Sequence, residues 1–272
     1  LLLDQAIDEA LEAYSKDYQA YFDEHHLKGL QCLDKAPRWA LIPSKGAVYF
    51  GRTVQEMQIV TAIAQHTMRA IYKAEQMGGW TALSRRDLFN MEYWELEQLK
   101  LKKNKESAPM QGKIALVTGA ASGIGKATVI ALSKAGAVVI ALDINPDIMH
   151  TFSSPQVKSY ICDLCDEKAM TACLLEGVAH WGGLDYLVLN AGVFPPSSKI
   201  QDMPLSIWDK SLEVNLSAPQ RLLQHCQTFL EQGIEPAVVL VGSKNVPAPG
   251  QGAAAYSVAK AALTQLGRIA AL

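Results

Sequence analysis

From residue 113 onward, apolar positions come in short unbroken runs, each followed by a stretch with helical spacing. Runs rich in Val, Ile, Leu and Ala at 113–118, 138–143, 157–163, 184–190 and 237–241 predict strands. The stretches 123–134, 166–181, 205–231 and 252 to the end predict helices. Strands that are apolar throughout suit a parallel sheet covered on both faces. Right-handed crossovers then give the fold class: α/β, a doubly wound parallel sheet, Rossmann-like. A full sheet of this class has a sixth strand or more, whereas this pattern holds five and stops inside a helix. The domain is therefore expected to be incomplete at its C-terminus.

Residues 1–103 have a different texture, a smaller, mostly helical α+β segment. Apolar residues Ile7, Ala10, Leu11, Tyr14 and Tyr18 predict a helix over 4–22. Two strands are expected at 38–43 and 47–51, joined around Gly46. Helices follow at 53–77, with Thr53 and Glu56 placed as a capping box, and at 84–103, capped by Ser84 with Glu92, Tyr93, Trp94 and Leu96 inside. The polar, Pro- and Gly-containing stretch 104–112 reads as a linker. The expected division is 1–103, linker 104–112, and 113–272.

Composition adds limits. The chain has 272 residues, 49% hydrophobic and 19% charged, as in ordinary globular proteins. A net charge of −2 gives no reason to expect nucleic acid or an anionic membrane as partner. No run approaches the length of a membrane span. The start, Leu1-Leu2-Leu3-Asp4, lacks the features of a signal peptide and reads as part of something longer. Five cysteines, an odd number, make no disulfide framework. Cys162 and Cys165 have redox or zinc spacing without a second pair, so all five are expected to act as small buried hydrophobes. A reducing, cytoplasmic setting fits best.

The chemistry begins where the first strand of the α/β region breaks into glycines: Thr118-Gly119-Ala120-Ala121-Ser122-Gly123-Ile124-Gly125. Gly119 permits a tight turn, Gly123 lets backbone approach a pyrophosphate, and Gly125 lets helix and strand pack closely. Phosphate oxygens would meet free N–H groups at the positive end of the helix. Asp143 ends the second strand, eighteen residues after Gly125. A carboxylate there accepts from a ribose diol and repels a 2′-phosphate; no Lys or Arg lies in 119–125 to receive one. NAD is expected over NADP. Asp163 with Leu164, and Asn190-Ala191-Gly192, end the third and fourth strands at the same carboxyl edge.

Tyr256 and Lys260 stand one helical turn apart on one face, and no other tyrosine in the chain has Lys at +4. A free phenol with a pKa near 10 is a poor base at neutral pH; lowering it by about 3 takes roughly 4 kcal/mol of differential stabilisation. A neighbouring ammonium supplies that kind of stabilisation. Ser243, thirteen residues before Tyr256, could hydrogen-bond a substrate oxygen, and Asn215 could hold a water in a proton relay to Lys260. Taken alone, Ser243 also reads as a turn serine and Asn215 as a solvated helix residue.

Together, Thr118-Gly-x-x-x-Gly-Ile-Gly125, Asp163-Leu164, Asn190-Ala-Gly192, Asn215, Ser243 and Tyr256-x-x-x-Lys260 resemble the short-chain dehydrogenase/reductase family over 111–272. The resemblance implies Tyr256 as acid/base and Lys260 as the residue binding the nicotinamide ribose. It implies Ser243 orienting the substrate and Asn215 completing the relay. The family's last strands and substrate-covering loop lie beyond the residues matched. Arg38 through Gly46, Gly51-Arg52-Thr53 and Asp87 through Lys100 resemble the end of the aldolase part in bifunctional class II aldolase/short-chain dehydrogenase proteins. Such aldolases hold a divalent metal on several histidines. His25, His26 and His66 include no His-x-His pair, so no metal site is expected, and His25 and His26 are expected to be solvated at a helix end.

The resemblance thus implies an NAD-dependent alcohol/carbonyl oxidoreductase acting on a small hydroxyaldehyde, sugar or polyol, free of nucleic acid and membrane. It also implies a homo-oligomer associating through the helices of Asn215 and Tyr256. Two other readings stand beside it: aldolase (lyase) activity of a bifunctional parent, and a nucleotide-binding module without turnover.

Overall fold

The computed structural model describes residues 7–94 and 107–272. The chain divides into two compact units, 1–107 and 108–272. In the first, α1 (Ile7–His25) packs against α3 (Arg85–Glu92). Tyr21, Phe22, Phe89 and Tyr93 form their shared core, and Glu92 accepts hydrogen bonds from Tyr18 (2.6 Å) and Tyr21 (3.2 Å). A hairpin of β1 (Trp39–Ile42) and β2 (Gly46–Tyr49) precedes α2 (Val54–Gln76).

Three expectations change in this unit. Thr53 caps α2 by accepting from Glu56 N at 3.1 Å, but the Glu56 carboxylate reaches Arg52 N (3.0 Å) rather than Thr53, so the box is displaced by one residue. The third helix stops at Glu92, with Tyr93 as its C-cap, and Trp94 is exposed rather than inside. Residues 95–103 of that expected helix, with Leu96, the first residues of the 4–22 helix and linker positions 104–106 lie outside the described residues. His25 is not solvated: Nδ1 bonds Tyr21 O (3.1 Å) and the ring stacks on Phe89. Its neighbour His26 is exposed, with its ring stacked on Phe22.

The second unit is built on a five-stranded parallel sheet, the Rossmann-like fold expected. Its strands are β3 (Ile114–Thr118), β4 (Val138–Asp143), β5 (Val157–Ile161), β6 (Tyr186–Leu189) and β7 (Ala237–Leu240), in the order β5-β4-β3-β6-β7. Alternate side chains serve opposite faces. Leu116, Ile140, Leu142, Leu187 and Leu189 pack with Met170 and Leu174 of α6 (Glu167–Trp181) and Leu222 of α8 (Ala218–Leu230). Val117, Val139, Ala141 and Val188 pack with Val129 of α4 (Gly123–Lys134) and Ile148 of the short α5 (Ile148–Thr151). Cys162 and Cys226 are buried in the first of these clusters, and burial holds each thiol up at about 12. Cys32, Cys165 and Cys173 are only half-buried, which departs from the expectation of five buried thiols.

The long helix expected over 205–231 is three pieces. It comprises α7 (Leu205–Leu212), a π segment Glu213–Ser217 and α8, with Ala218 N donating five residues back to Glu213 O. Helix α9 (Ala254–Ala270) ends the described fold. Because β3 leads outward to β4 and β5 before the chain returns to β6, the strand order reverses between β3 and β6. That reversal opens the crevice where ligands bind in open α/β sheets.

Candidate active site

The crevice is a cleft of about 1050 Å³ along the carboxyl edge of the sheet. Its floor is the glycine loop after β3, fastened from β6. Asn190 Nδ2 donates to Thr118 O (2.9 Å) and Gly119 O (3.2 Å), while Thr118 Oγ1 accepts from Asn190 N and Ala191 N, both at 3.0 Å. Gly119 has φ +65°, and a Cβ there would lie 2.9 Å from Asn190 Nδ2. A Cβ on Gly125 would collide with Gly119 O and stand 2.6 Å from Asn190 Nδ2. Side chains at either position would break the strand–loop–helix junction. Gly123, by contrast, faces open space in the cleft.

Ser122 is the N-cap residue of α4 but its side chain makes no capping bond. The first N–H groups of the helix are thus left for another acceptor, the arrangement that receives phosphate oxygens. Ser122, Gly123 and Ile124 line the cleft.

Asp143 lines the cleft from the end of β4. Its Oδ2 accepts from Ala121 N and its Oδ1 from Asn145 N, both at 2.8 Å. These bonds orient the carboxylate and tie it to the glycine loop. Each oxygen keeps a second lone pair for a ligand hydroxyl. Asp163 closes a turn by accepting from Cys165 N (2.9 Å), and with Leu164 it forms the next stretch of wall. Asp209, Lys210, Glu213 and Val214 also line the cleft.

At its inner end the cleft is bounded by Asn190, Ala191, Gly192 and Val193. Here the structure joins residues that are far apart in sequence. Asn215, 0% exposed in the π segment, accepts from Val193 N and donates to Val193 O, both at 3.0 Å. Its Nδ2 also donates to Ser211 O at 2.9 Å. The reading of Asn215 as a solvated helix residue is therefore overturned. Lys260, 3% exposed, donates to Val241 O at 2.9 Å, and burial lowers its pKa. A Cβ on Gly192 would sit 2.7 Å from Asn215 Oδ1 and 3.5 Å from Lys260 Nζ, so all three meet at one point.

Lys260 Nζ is 5.9 Å from the centre of the Tyr256 ring. The Tyr256 ring is half-buried, packed against Phe194. Ser243 lies just past β7, where its Oγ accepts from Asn245 N at 3.1 Å; no hydrogen bond joins it to Tyr256 among the described residues. Tyr256, Lys260 and Ser243 do not line the large cleft but lie beyond its Gly192 end. Sequence reasoning missed Thr118 Oγ1, Val193, Ser211 and Phe194. Pro219 signalled the first step towards the Asn215 arrangement: lacking an N–H, it cannot continue an α-helical ladder back to Asn215.

Among the described residues, no three His, Cys, Asp or Glu side chains are grouped to hold a metal ion. No described helix is long and apolar enough to cross a membrane.

Comparison with known proteins follows the same division. The family "Aldolase class II, second domain" matches residues 2–101, and the family "short chain dehydrogenase" matches residues 113–272. A Bacillus subtilis protein named as the uncharacterized oxidoreductase YuxG is 29% identical over 96% of this chain. The chain spans 39% of that relative's length. A cis-4-hydroxycyclohexanecarboxylate dehydrogenase from Sinomonas cyclohexanicum is 31% identical, over 59% of this chain and 66% of its own. Among solved structures, an NAD+-bound xylitol dehydrogenase superposes with a TM-score of 0.57 at 27% identity, covering 60% of this chain and 65% of that one.

Proposed function

The chain belongs to the short-chain dehydrogenase family, and from that premise we propose that residues 113–272 form an NAD-dependent oxidoreductase domain interconverting an alcohol and a carbonyl. One observation carries this reading. The side-chain-free position of Gly192, at the inner end of the nucleotide cleft, is shared by Asn215 Oδ1 (2.7 Å) and Lys260 Nζ (3.5 Å). The cleft thus ends at a glycine, and next to that glycine lies a buried ammonium, one helical turn from a phenol.

The residues present fit NAD: the loop has no room for side chains at Gly119 and Gly125, and the start of α4 has uncapped donors. In this reading Gly119, Ser122, Gly123, Ile124 and Gly125 take the pyrophosphate, and Asp143, Asp163 and Leu164 take the adenosine end. Asn190, Ala191 and Gly192 line the passage inward, and Tyr256 and Lys260 hold the nicotinamide ribose. When bound, NAD supplies the hydride acceptor or donor.

The rest falls to the protein. Tyr256 Oη takes the proton of the alcohol or returns it to the carbonyl oxygen, and Lys260 favours the phenolate through its charge. Ser243 Oγ orients the substrate oxygen. Asn215 has given its N–H donors to Val193 and Ser211, but Oδ1 keeps a lone pair. With two Lys260 protons still free, one water between Oδ1 and Nζ would extend the relay.

The substrate we infer is a small hydroxyaldehyde, sugar or polyol. The aldolase match over residues 2–101 supports it, since a lyase upstream would deliver such compounds. The xylitol dehydrogenase neighbour, named for a polyol, points the same way. We propose residues 1–103 as the end of a class II aldolase domain, 104–112 as a linker, and association of copies through α8 and α9. Incubation with NAD⁺ and a panel of small polyols should produce reduced nicotinamide absorbance. NAD binding without turnover on any alcohol would contradict the oxidoreductase reading.

A further inference from the structure

Phe194 is placed where the proposed reaction would be felt. Its ring centroid lies 4.8 Å from that of Tyr256, with the planes at 62°, an edge-to-face pair. Yet 59% of the residue is exposed. An exposed aromatic on a free loop would mean little, but this loop is held on both sides of the ring. Val193, the residue before, is gripped through both backbone groups by Asn215. Four residues on, Ser198 N donates to Gly252 O at 3.0 Å and Ser198 bridges Ala253, three residues before Tyr256. Pro195 and Pro196 follow Phe194 directly. A residue before proline is confined to extended backbone, and proline fixes its own φ. The ring is therefore pinned beside the phenol while more than half of the residue stays exposed.

We propose that Phe194 is a specificity-determining residue, the wall along which a substrate's carbon skeleton lies while its oxygen meets Tyr256. The site then favours ring alcohols, cyclic polyols or cyclic sugars presenting a C–H face, over acyclic alcohols of two or three carbons. An aromatic face carries the negative side of a quadrupole and attracts weakly positive C–H groups. A ring alcohol covers that face; a three-carbon chain covers little of it. The proposal rests on the reading of Tyr256 as the acid/base group.

The test compares wild type, Phe194→Leu and Phe194→Ala on cyclohexanediol and propanediol with NAD⁺. Wild type should prefer the ring alcohol. In Phe194→Ala, kcat/KM for cyclohexanediol should fall about tenfold and for propanediol less than about twofold, with Phe194→Leu between. NAD affinity, unchanged within about twofold, controls for folding. A second readout needs no turnover: calorimetric binding of cyclohexanediol to protein loaded with reduced NAD, a pair that cannot react. It should weaken about tenfold in Phe194→Ala. Equal losses on both alcohols, with a displaced pH profile, would make Phe194 a support for Tyr256 only and overturn the proposal. So would an unchanged selectivity. If wild type oxidises no alcohol, the oxidoreductase reading fails, while the calorimetric ratio still decides the role of Phe194.

Discussion

Asn215 and Val193 are paired as two strands of a sheet would be: the amide side chain of one takes both backbone groups of the other, each at 3.0 Å. The π segment makes this possible by turning a fully buried Asn215 towards the loop after β6. Asn215→Ala would remove the side-chain partner of Val193 N–H and C=O, which water can reach in part, and of the buried Ser211 carbonyl, and would leave a void at a fully buried position. We expect a loss of about 2–4 kcal/mol, seen as a melting temperature lower by roughly 5–15 °C. Ser211→Ala, which removes only a 3.3 Å contact to Asn215 while its carbonyl stays bonded, should cost less than about 1 kcal/mol.

Gly125 tests the floor of the cleft. Gly125→Ala drives a methyl into Gly119 O and Asn190 Nδ2, at a cost of about 2–3 kcal/mol. NAD affinity, read by fluorescence titration with the reduced cofactor, should drop at least about tenfold. Gly183→Ala is the control: its methyl would meet Ile114 at an ordinary 3.7 Å, and stability should hold within about 0.5 kcal/mol.

Asp143 is held by Ala121 N and Asn145 N, so its removal loosens the loop as well as the ribose contact. Asp143→Ala should weaken NAD binding about tenfold or more, the value of one or two hydrogen bonds to a charged group. It should also bring NADP affinity to within a few-fold of NAD. A wild type that binds both cofactors equally would remove Asp143 from its assigned role.

Lys260 gives a pH prediction with a definite sign. Burial lowers its pKa from 10.5 in the folded protein. Between that lowered value and 10.5 the unfolded chain binds the extra proton, so folding gains as pH rises through the window. Below the lowered value the penalty for a buried charge is present in full. Urea unfolding of wild type against Lys260→Met, repeated at several alkaline pH values, should show wild type gaining stability relative to the variant. A parallel pair of curves would contradict this.

How much could be read in advance depends on where the information resides. The strand runs around Leu116, Ile140 and Leu187 are apolar because both faces of the sheet are covered, and that shows directly in sequence. Gly119 and Gly125 were legible too, since a junction this tight excludes side chains. The break at Glu213–Ser217 was not legible from periodicity, because a π segment shifts the register by a single residue between two good helices. Pro219 was the one local sign. His25 reads as an ordinary surface histidine until α3 brings Phe89 against it, and Phe194 reads as a loop aromatic until α9 places Tyr256 beside it. Both depend on contacts remote in sequence, which no local pattern encodes.

The central claim is that a dinucleotide bound at Gly119–Gly125 meets Tyr256 acting as acid/base beyond Gly192. The most direct test is NAD⁺ reduction by a small polyol, measured with wild type and Tyr256→Phe side by side. Loss of the hydroxyl should cut kcat by about a hundredfold to ten-thousandfold, while NAD affinity falls by no more than about tenfold, the value of the one ribose hydrogen bond lost with it. A Tyr256→Phe protein that turns over within a few-fold of wild type would contradict the account.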